Sequence, residues 1–326
     1  MKRLRRPFTT QAGILSLLLI GITGLGLHAS THAQSQSLPP PLTETQTQTH
    51  ATPNKGSLII VGGGDTPYAV QEKFVALAEW EGKARIAIFT MASTQFDEEA
   101  AEVSDEFRLL GAEVDVININ REQADSEIVA TQIASYTGFW FIGGDQNRLS
   151  TVLQGTRTLQ VIEQRYLAGA VVGGTSAGAA VMTHTMLTGE SRSDSPHDKR
   201  PNMVALRSTE VAQGFGLLPG AIVDQHFTRR SRHNRLVSAV LDYPLLVGVG
   251  IDEETALLVK PDGLWEVMGN GHVKIYDARL ARITHEEYES VGAAGIRLHV
   301  LPNRATFDPK TGRVKLAGGQ DTPATP

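Results

Sequence analysis

The sequence predicts an α/β fold in which a mainly parallel sheet carries helices on both faces. Three observations predict it. Apolar runs of strand length end repeatedly in glycine, and amphipathic runs of helix length separate them. The third is Gly174-x-Ser176-x-Gly178, which joins an apolar strand-like run to an apolar helix-like run. A sharp strand-to-helix turn strains its central residue and needs small neighbours.

The elements follow in order. "SLIIVGGG" from Ser57 is a buried strand, Pro67 to Trp80 an amphipathic helix, and "ARIAIFT" a strand. Asp97 to Leu110 is a helix, "EVDVINI" a strand, Ser126 to Tyr136 a helix, and "GFWFIGGDQ" another glycine-ended strand. Two short helical patterns precede "GAVVGG", where Ala170 to Val172 close a buried strand and Ala177 to Met182 open a buried helix. Leu187 to Gly220 is polar and contains proline; a loop so long is usually functional or disordered. "GAIVDQHF" is a strand that leads into a basic helix with Arg229, Arg230, Arg232 and Arg235. "LLVGVGIDEETALLV" gives two strands around Asp252-Glu253-Glu254. Leu264 to Met268 and His272 to Tyr276 are expected to pair as a C-terminal β-hairpin across Asn270-Gly271, a strong turn signal.

The ends of the chain read differently. Lys2, Arg3, Arg5 and Arg6, the apolar stretch Gly13 to Leu27 and the small residues of Thr31-His32-Ala33 give residues 1–33 the layout of a signal peptide. The apolar stretch is short for a membrane span, which needs roughly 20 residues. No stable span is therefore expected after its removal, and the protein is expected to be exported to the periplasm or beyond. Residues 34–55, rich in Gln, Thr, Ser and Pro, read as a disordered linker. Residues 56–306 are expected to form a single catalytic domain, and 307–326 a flexible tail.

Composition removes several chemistries. With no cysteine there is no thiol nucleophile, disulfide or thiolate metal site. A net charge of -5 gives no reason to expect nucleic acid as a partner. No GxxxxGK[ST] loop, GxGxxG spacing, HExxH or paired-histidine zinc spacing occurs, so neither cofactor nor metal is expected.

Ser176 can cap a helix or act as a nucleophile at an elbow. In a parallel sheet, ligands gather beyond the carboxyl ends of the strands. Those ends include Gly62-Gly63-Gly64, Gly143-Gly144 and Ser176, so three glycine-rich ends converge on one rim. A serine hydroxyl needs a base, usually an oriented histidine. Of ten histidines, His226 alone ends a predicted core strand. Its second ring nitrogen needs an acceptor, for which Glu253 and Glu254 are candidates, with Asp252 and Asp224 behind them. The oxyanion formed on acyl attack needs two N–H donors. Ala177 supplies one by the elbow geometry; the second is expected from Gly143 or Gly144, of which Gly144 is taken.

"GGTSAGAAVM", "IVDQHFTRRSRHNRL", "GIDEETALLV" and "FIGGDQNRL" resemble the cyanophycinases, of the serine peptidase family that also contains aspartyl dipeptidases. The resemblance runs from about Gly56 to Val300. The chain order Ser…His…Glu fits that family and differs from the Ser…Asp/Glu…His order of α/β-hydrolases. The resemblance implies a three-layer α/β/α sandwich like that of class I glutamine amidotransferases, often dimeric. It implies exopeptidase cleavage of the cyanophycin polymer, a polyaspartate carrying arginine on its side chains, to β-aspartyl-arginine. Ser176 would be the nucleophile, His226 the base and Glu253 its orienting acid. Gln146, Asp224, Gln225, Arg230, Arg232 and Arg235 would line the substrate pocket. Acids suit the guanidinium groups of such a polymer, and arginine forks suit its carboxylates. Two alternatives stay open: an aspartyl dipeptidase, and a catalytically silent binding protein for an acidic ligand.

Overall fold

A computed structural model describes residues 56–95, 97–191, 203–285 and 291–318. The expected signal peptide and linker lie outside the described residues. The chain enters through β1 (Ser57–Val61), α1 (Tyr68–Ala78), β2 (Arg85–Phe89), α2 (Asp97–Leu109) and β3 (Glu113–Ile117). It continues through α3 (Arg121–Ala124), α4 (Glu127–Ile133), β4 (Gly138–Phe141), α5 (Gln146–Leu153), α6 (Arg157–Ala168), β5 (Val171–Thr175) and α7 (Ala177–Ala180). The ribbon β6 (Thr185–Ser191) and β7 (Thr209–Gln213) follows, then β8 (Ala221–Asp224) and α8 (His233–Asp242). Next come β9 (Val247–Ile251), β10 (Thr255–Val259), β11 (Trp265–Gly269) and β12 (Val273–Asp277). The last elements are β13 (Arg282–His285), β14 (Val291–Ala294), β15 (Arg297–Leu301), β16 (Thr306–Asp308) and β17 (Arg313–Lys315).

The main sheet has nine strands in the order β17-β16-β11-β10-β1-β5-β4-β2-β3. Its half from β1 to β3 is parallel, as the strand–helix alternation predicts, and β10, β11, β16 and β17 extend it antiparallel. Alternation along each strand sends side chains to opposite faces. Ile59, Val61, Ile86, Ile88 and Trp140 face Val70, Phe74 and Ala78 of α1 and Phe107 of α2. Phe74 meets the Trp140 ring edge-on at 4.9 Å. Leu58, Ile60, Ala87, Phe89, Phe139 and Phe141 face Ile133, Leu149, Leu153, Ile162 and Tyr166 from α4, α5 and α6. Helices therefore cover both faces of the parallel half, in agreement with the α/β class.

Over the antiparallel half, a second sheet takes the place of helices on one face. It runs β15-β12-β9-β8, and its Val249, Ile251, Val273 and Ile275 share a core with Leu257, Val259, Trp265 and Val267. Helix α8 covers its outer side through Leu236, Ala239 and Val240, against Ile222, Phe227 and Tyr276.

Three sequence expectations are corrected. The strands flanking Asn270-Gly271 do not pair with each other: β11 joins the main sheet and β12 the second. A single antiparallel register instead links Ile251 to Val273 and Thr255 to Gly269, so the hairpin turns at Lys260–Leu264. There Pro261-Asp262-Gly263 closes the turn, with the Asp262 carboxylate accepting from the Leu264 N–H at 2.9 Å. Asn270-Gly271 marks where this long ladder passes from one sheet to the other. Hairpins at the C-terminal end are formed by β13–β14 and β16–β17.

Secondly, residues 307–318 of the expected tail are ordered into the sheet, while 319–326 lie outside the described residues. Phe307 is fully buried, 5.5 Å from the Trp265 ring, and β16 and β17 complete the sheet edge. Arg279 pins the same stretch by donating to the Pro309 carbonyl at 2.7 Å. Thirdly, the segment Leu187 to Gly220 is not simply a loop. Thr185 pairs with Gln213 and Leu187 with Val211, with Met186 and Leu187 buried beneath a polar exterior that hides the strand signal. Its residues 192–202 lie outside the described residues.

Candidate active site

Ser176 follows β5 and precedes α7 with φ 53° and ψ −109°, a conformation a side chain adopts only when its surroundings fix it. Its N–H donates to the Val61 carbonyl at 3.1 Å, which ties the elbow to β1. A β-carbon on Gly174 would stand 2.7 Å from the Phe141 carbonyl oxygen, and one on Gly178 would strike the same carbonyl. That packing is why the serine is flanked by glycines. The Ser176 hydroxyl makes no capping bond to the helix, so the helix-cap reading of this serine fails.

Instead the Ser176 Oγ lies 2.9 Å from Nε2 of His226. His226 follows β8 at φ 48° and is anchored by its own N–H, which donates to the Gly62 carbonyl at 2.6 Å. Nδ1 of the same ring lies 2.7 Å from Oε1 of Glu253. An ionised carboxylate only accepts, so the proton sits on Nδ1 and the Nε2 lone pair faces the serine hydroxyl. Burial lowers the pKa of His226, and the charges of Arg230 and Arg232 push it the same way against the bond from Glu253. The imidazole is thereby biased toward its neutral, proton-accepting form.

The structure separates the two glutamates. Glu253 reaches the imidazole, with its Oε2 3.4 Å from Arg229 Nε. Glu254 turns away at φ 54°, and its carboxylate accepts from Asn270 Nδ2 at 2.9 Å. Asp252 holds the turn that carries the histidine. It accepts from the Thr228 hydroxyl at 2.6 Å and from Lys274 at 2.8 Å.

The two glycines of "FIGGDQ" differ in their placing. A β-carbon on Gly143 would lie 3.5 Å from Ser176 Cβ and 4.0 Å from its Oγ. Gly144, at φ 129°, turns toward the backbone of Ala92 and Ser93. Of the two glycines, it is therefore Gly143 that packs against Ser176, and not the expected Gly144. Ala177 opens α7, at a position whose N–H has no partner within its helix.

Of the expected pocket residues, Asp224, Gln225, Arg232 and Arg235 form a connected set beside His226. Asp224 is completely buried and takes both prongs of Arg235, with Nε to Oδ2 at 2.9 Å and Nη2 to Oδ1 at 2.5 Å. Arg232 reaches the same carboxylate at 3.3 Å and donates to the Gln225 side chain at 2.9 Å and its carbonyl at 2.7 Å. Burial lowers the pKa of Arg232 to about 10 even beside Asp224. Gln146 donates to the Leu187 carbonyl at 2.8 Å and Arg235 to the Gly189 carbonyl at 3.3 Å, so both hold strand β6. Arg230 is exposed, and its side chain has no hydrogen-bond partner among the described residues.

Two contributors escaped sequence reasoning. Gly63, read only as a strand end, supports the His226 ring. Glu99 sits on α2 without any motif around it, yet its Oε1 accepts from the Gly143 N–H at 3.1 Å.

Comparison with known proteins identifies the family. The model of peptidase family S51 matches residues 58–267. The chain is 36% identical to a cyanophycinase of Trichormus variabilis over 258 residues, 76% of this chain and 83% of that protein. It is 31% identical to a cyanophycinase of Synechococcus elongatus over 271 residues, 80% of this chain and 82% of that protein. The fold is similar to the crystal structure of a peptidase from an acI-B1 Actinobacterium, with a TM-score of 0.57 and 23% identity over 76% of this chain and 98% of the other. With a family model spanning most of the described sheet and relatives this similar across most of its length, the protein belongs to peptidase family S51 and is a serine-type peptidase.

Proposed function

We propose that this peptidase is an exported cyanophycinase that releases β-aspartyl-arginine from the end of the polymer through an acyl-enzyme on Ser176. The observation that carries the chemistry is the hydrogen-bonded chain Ser176–His226–Glu253, with links of 2.9 Å and 2.7 Å. His226 Nε2 takes the Ser176 proton as Oγ attacks the scissile carbonyl carbon. The resulting oxyanion is held by the N–H groups of Ala177 and Gly143. The tetrahedral intermediate collapses, and the leaving amine departs with the proton held on His226. His226 then deprotonates a water that hydrolyses the ester and frees Ser176. Glu253 keeps the imidazole in its working tautomer and steadies the transient imidazolium.

The substrate reading is supported by the relatives, which are cyanophycinases, and by a rim that sets buried Asp224 beside two arginines, Arg232 and Arg235. Export is supported by the basic start, apolar stretch and small residues that end at Ala33. Incubation of the purified chain with cyanophycin granules tests the activity. Wild type should release β-aspartyl-arginine, read by mass spectrometry, and Ser176→Ala should release none. Cleavage of short aspartyl peptides without attack on the polymer would favour the dipeptidase reading. The first residue of the protein recovered outside the cell tests export; Gln34 is expected.

A further inference from the structure

Gly143 packs against the nucleophile, and in this structure its amide is already taken. Glu99, on the first turn of α2, accepts from it at 3.1 Å. The point where a Gly143 β-carbon would stand lies 3.4 Å from Glu99 Oε1 and 3.5 Å from Ser176 Cβ, so this carboxylate lies beside the reacting group. Among the described residues no lysine or arginine pairs with Glu99. A carbonyl oxygen that becomes an oxyanion cannot share one N–H with a carboxylate, because the position is filled and the charges are alike. Glu99 is only half-buried, and its side chain has enough rotatable bonds to swing off the amide without moving the helix.

We propose that Glu99 is a specificity-determining residue: it covers the oxyanion amide in the free enzyme and leaves it for a cation that the substrate carries next to the scissile carbonyl. A guanidinium or ammonium there gives the displaced carboxylate a charge-assisted partner, so cationic substrates open the site that neutral ones must compete for. This inference rests on the acylation chemistry proposed for Ser176, Gly143 and Ala177.

Two measurements on wild type, Glu99→Gln and Glu99→Ala test it. The first is the rate at which a small neutral fluorophosphonate labels Ser176. That reagent builds an anionic oxygen at the amide but offers no cation. Labelling should rise roughly tenfold in Glu99→Ala, with a smaller rise in Glu99→Gln. The second is the preference for a short oligomer of β-aspartyl-arginine repeats over the same oligomer with citrulline, a neutral isostere, in place of arginine. That preference should shrink by roughly tenfold in both variants. Faster labelling with an unchanged preference overturns the recognition of a cation. Labelling that needs Ser176 but is unchanged in both Glu99 variants overturns the covering of the amide, and leaves the Ser176 chemistry standing. Labelling that persists in Ser176→Ala overturns that chemistry, and this inference with it. Thermal melting of both Glu99 variants separates these effects from loss of fold.

Discussion

Gly63 supports the imidazole of His226 so closely that a β-carbon on it would lie 2.5 Å from the ring's Nε2. The glycine also has φ +96°, a conformation that any other residue strains to adopt. The end of β1 thus serves as a floor for the base, while the neighbouring Gly62 carbonyl holds the base's backbone. Gly63→Ala should tilt the ring off the Ser176 hydroxyl. Displacements of about 1 Å in such sites cost roughly 10²-fold. A kcat reduced by that order, in a protein whose far-UV spectrum is unchanged, is the expected outcome; near wild-type turnover would show that the ring does not depend on this floor.

The acid partner is the next test. Glu253→Gln removes the charge that orients and steadies the imidazole, and kcat should fall by roughly 10²–10⁴-fold. Glu254→Gln changes only a bond to Asn270 on the far side of the turn, and kcat should stay within a few-fold of wild type. A larger loss from the second variant would reverse the assignment.

The pH dependence has a definite sign. His226 acts as a base only when neutral, and burial, with Arg230 and Arg232 acting in the same direction, holds its pKa below 6.5. The acid limb of kcat/KM, which reports the free enzyme, should therefore lie below pH 6.5. Arg230→Gln removes a positive charge that opposes protonation, so the limb should move to higher pH. Glu253→Gln removes the negative partner, so the imidazole should titrate at lower pH, a shift readable by NMR even where turnover is weak. Shifts in the same direction in both variants would contradict this electrostatic account.

Much of this was legible in the sequence for physical reasons. Strand–helix alternation fixed the parallel half of the sheet, and the spacing around Ser176 showed an elbow because only glycine tolerates the Phe141 carbonyl at Gly174 and Gly178. His226 was found by its place at a strand end. The second sheet was hidden because β9–β10 and β11–β12 are two continuous runs that change sheets midway, and periodicity carries no mark of which neighbour a strand chooses. Asn270-Gly271 misled for the same reason: a glycine suits a bend within a ladder as well as a hairpin tip. Glu99 had no local signal, since its importance lies in a contact 44 positions along the chain.

The arginines after His226 provide the last prediction, because the structure divides a group that the sequence treats alike. Arg235 is bound by both prongs to Asp224, whose side chain is entirely buried, and its remaining arm holds β6 at Gly189. Arg230 is exposed and free to meet a ligand. Arg235→Ala leaves the buried Asp224 carboxylate with only the longer 3.3 Å bond from Arg232, so it should lose about 1.5–3 kcal/mol of stability. Arg235→Lys keeps the charge but not the fork, and it should slow the polymer and a small neutral acylating agent to similar extents, because it disturbs the frame around Ser176. Arg230→Gln should change stability by no more than about 0.5 kcal/mol, as exposed substitutions usually do. On the polymer it should lose roughly tenfold in kcat/KM through a lost bond to a substrate carboxylate, while the neutral agent reacts as before at a pH well above the acid limb. If instead Arg235→Lys spares the neutral agent and Arg230→Gln spares the polymer, the roles are reversed, and Arg235 grips substrate in spite of its bond to Asp224.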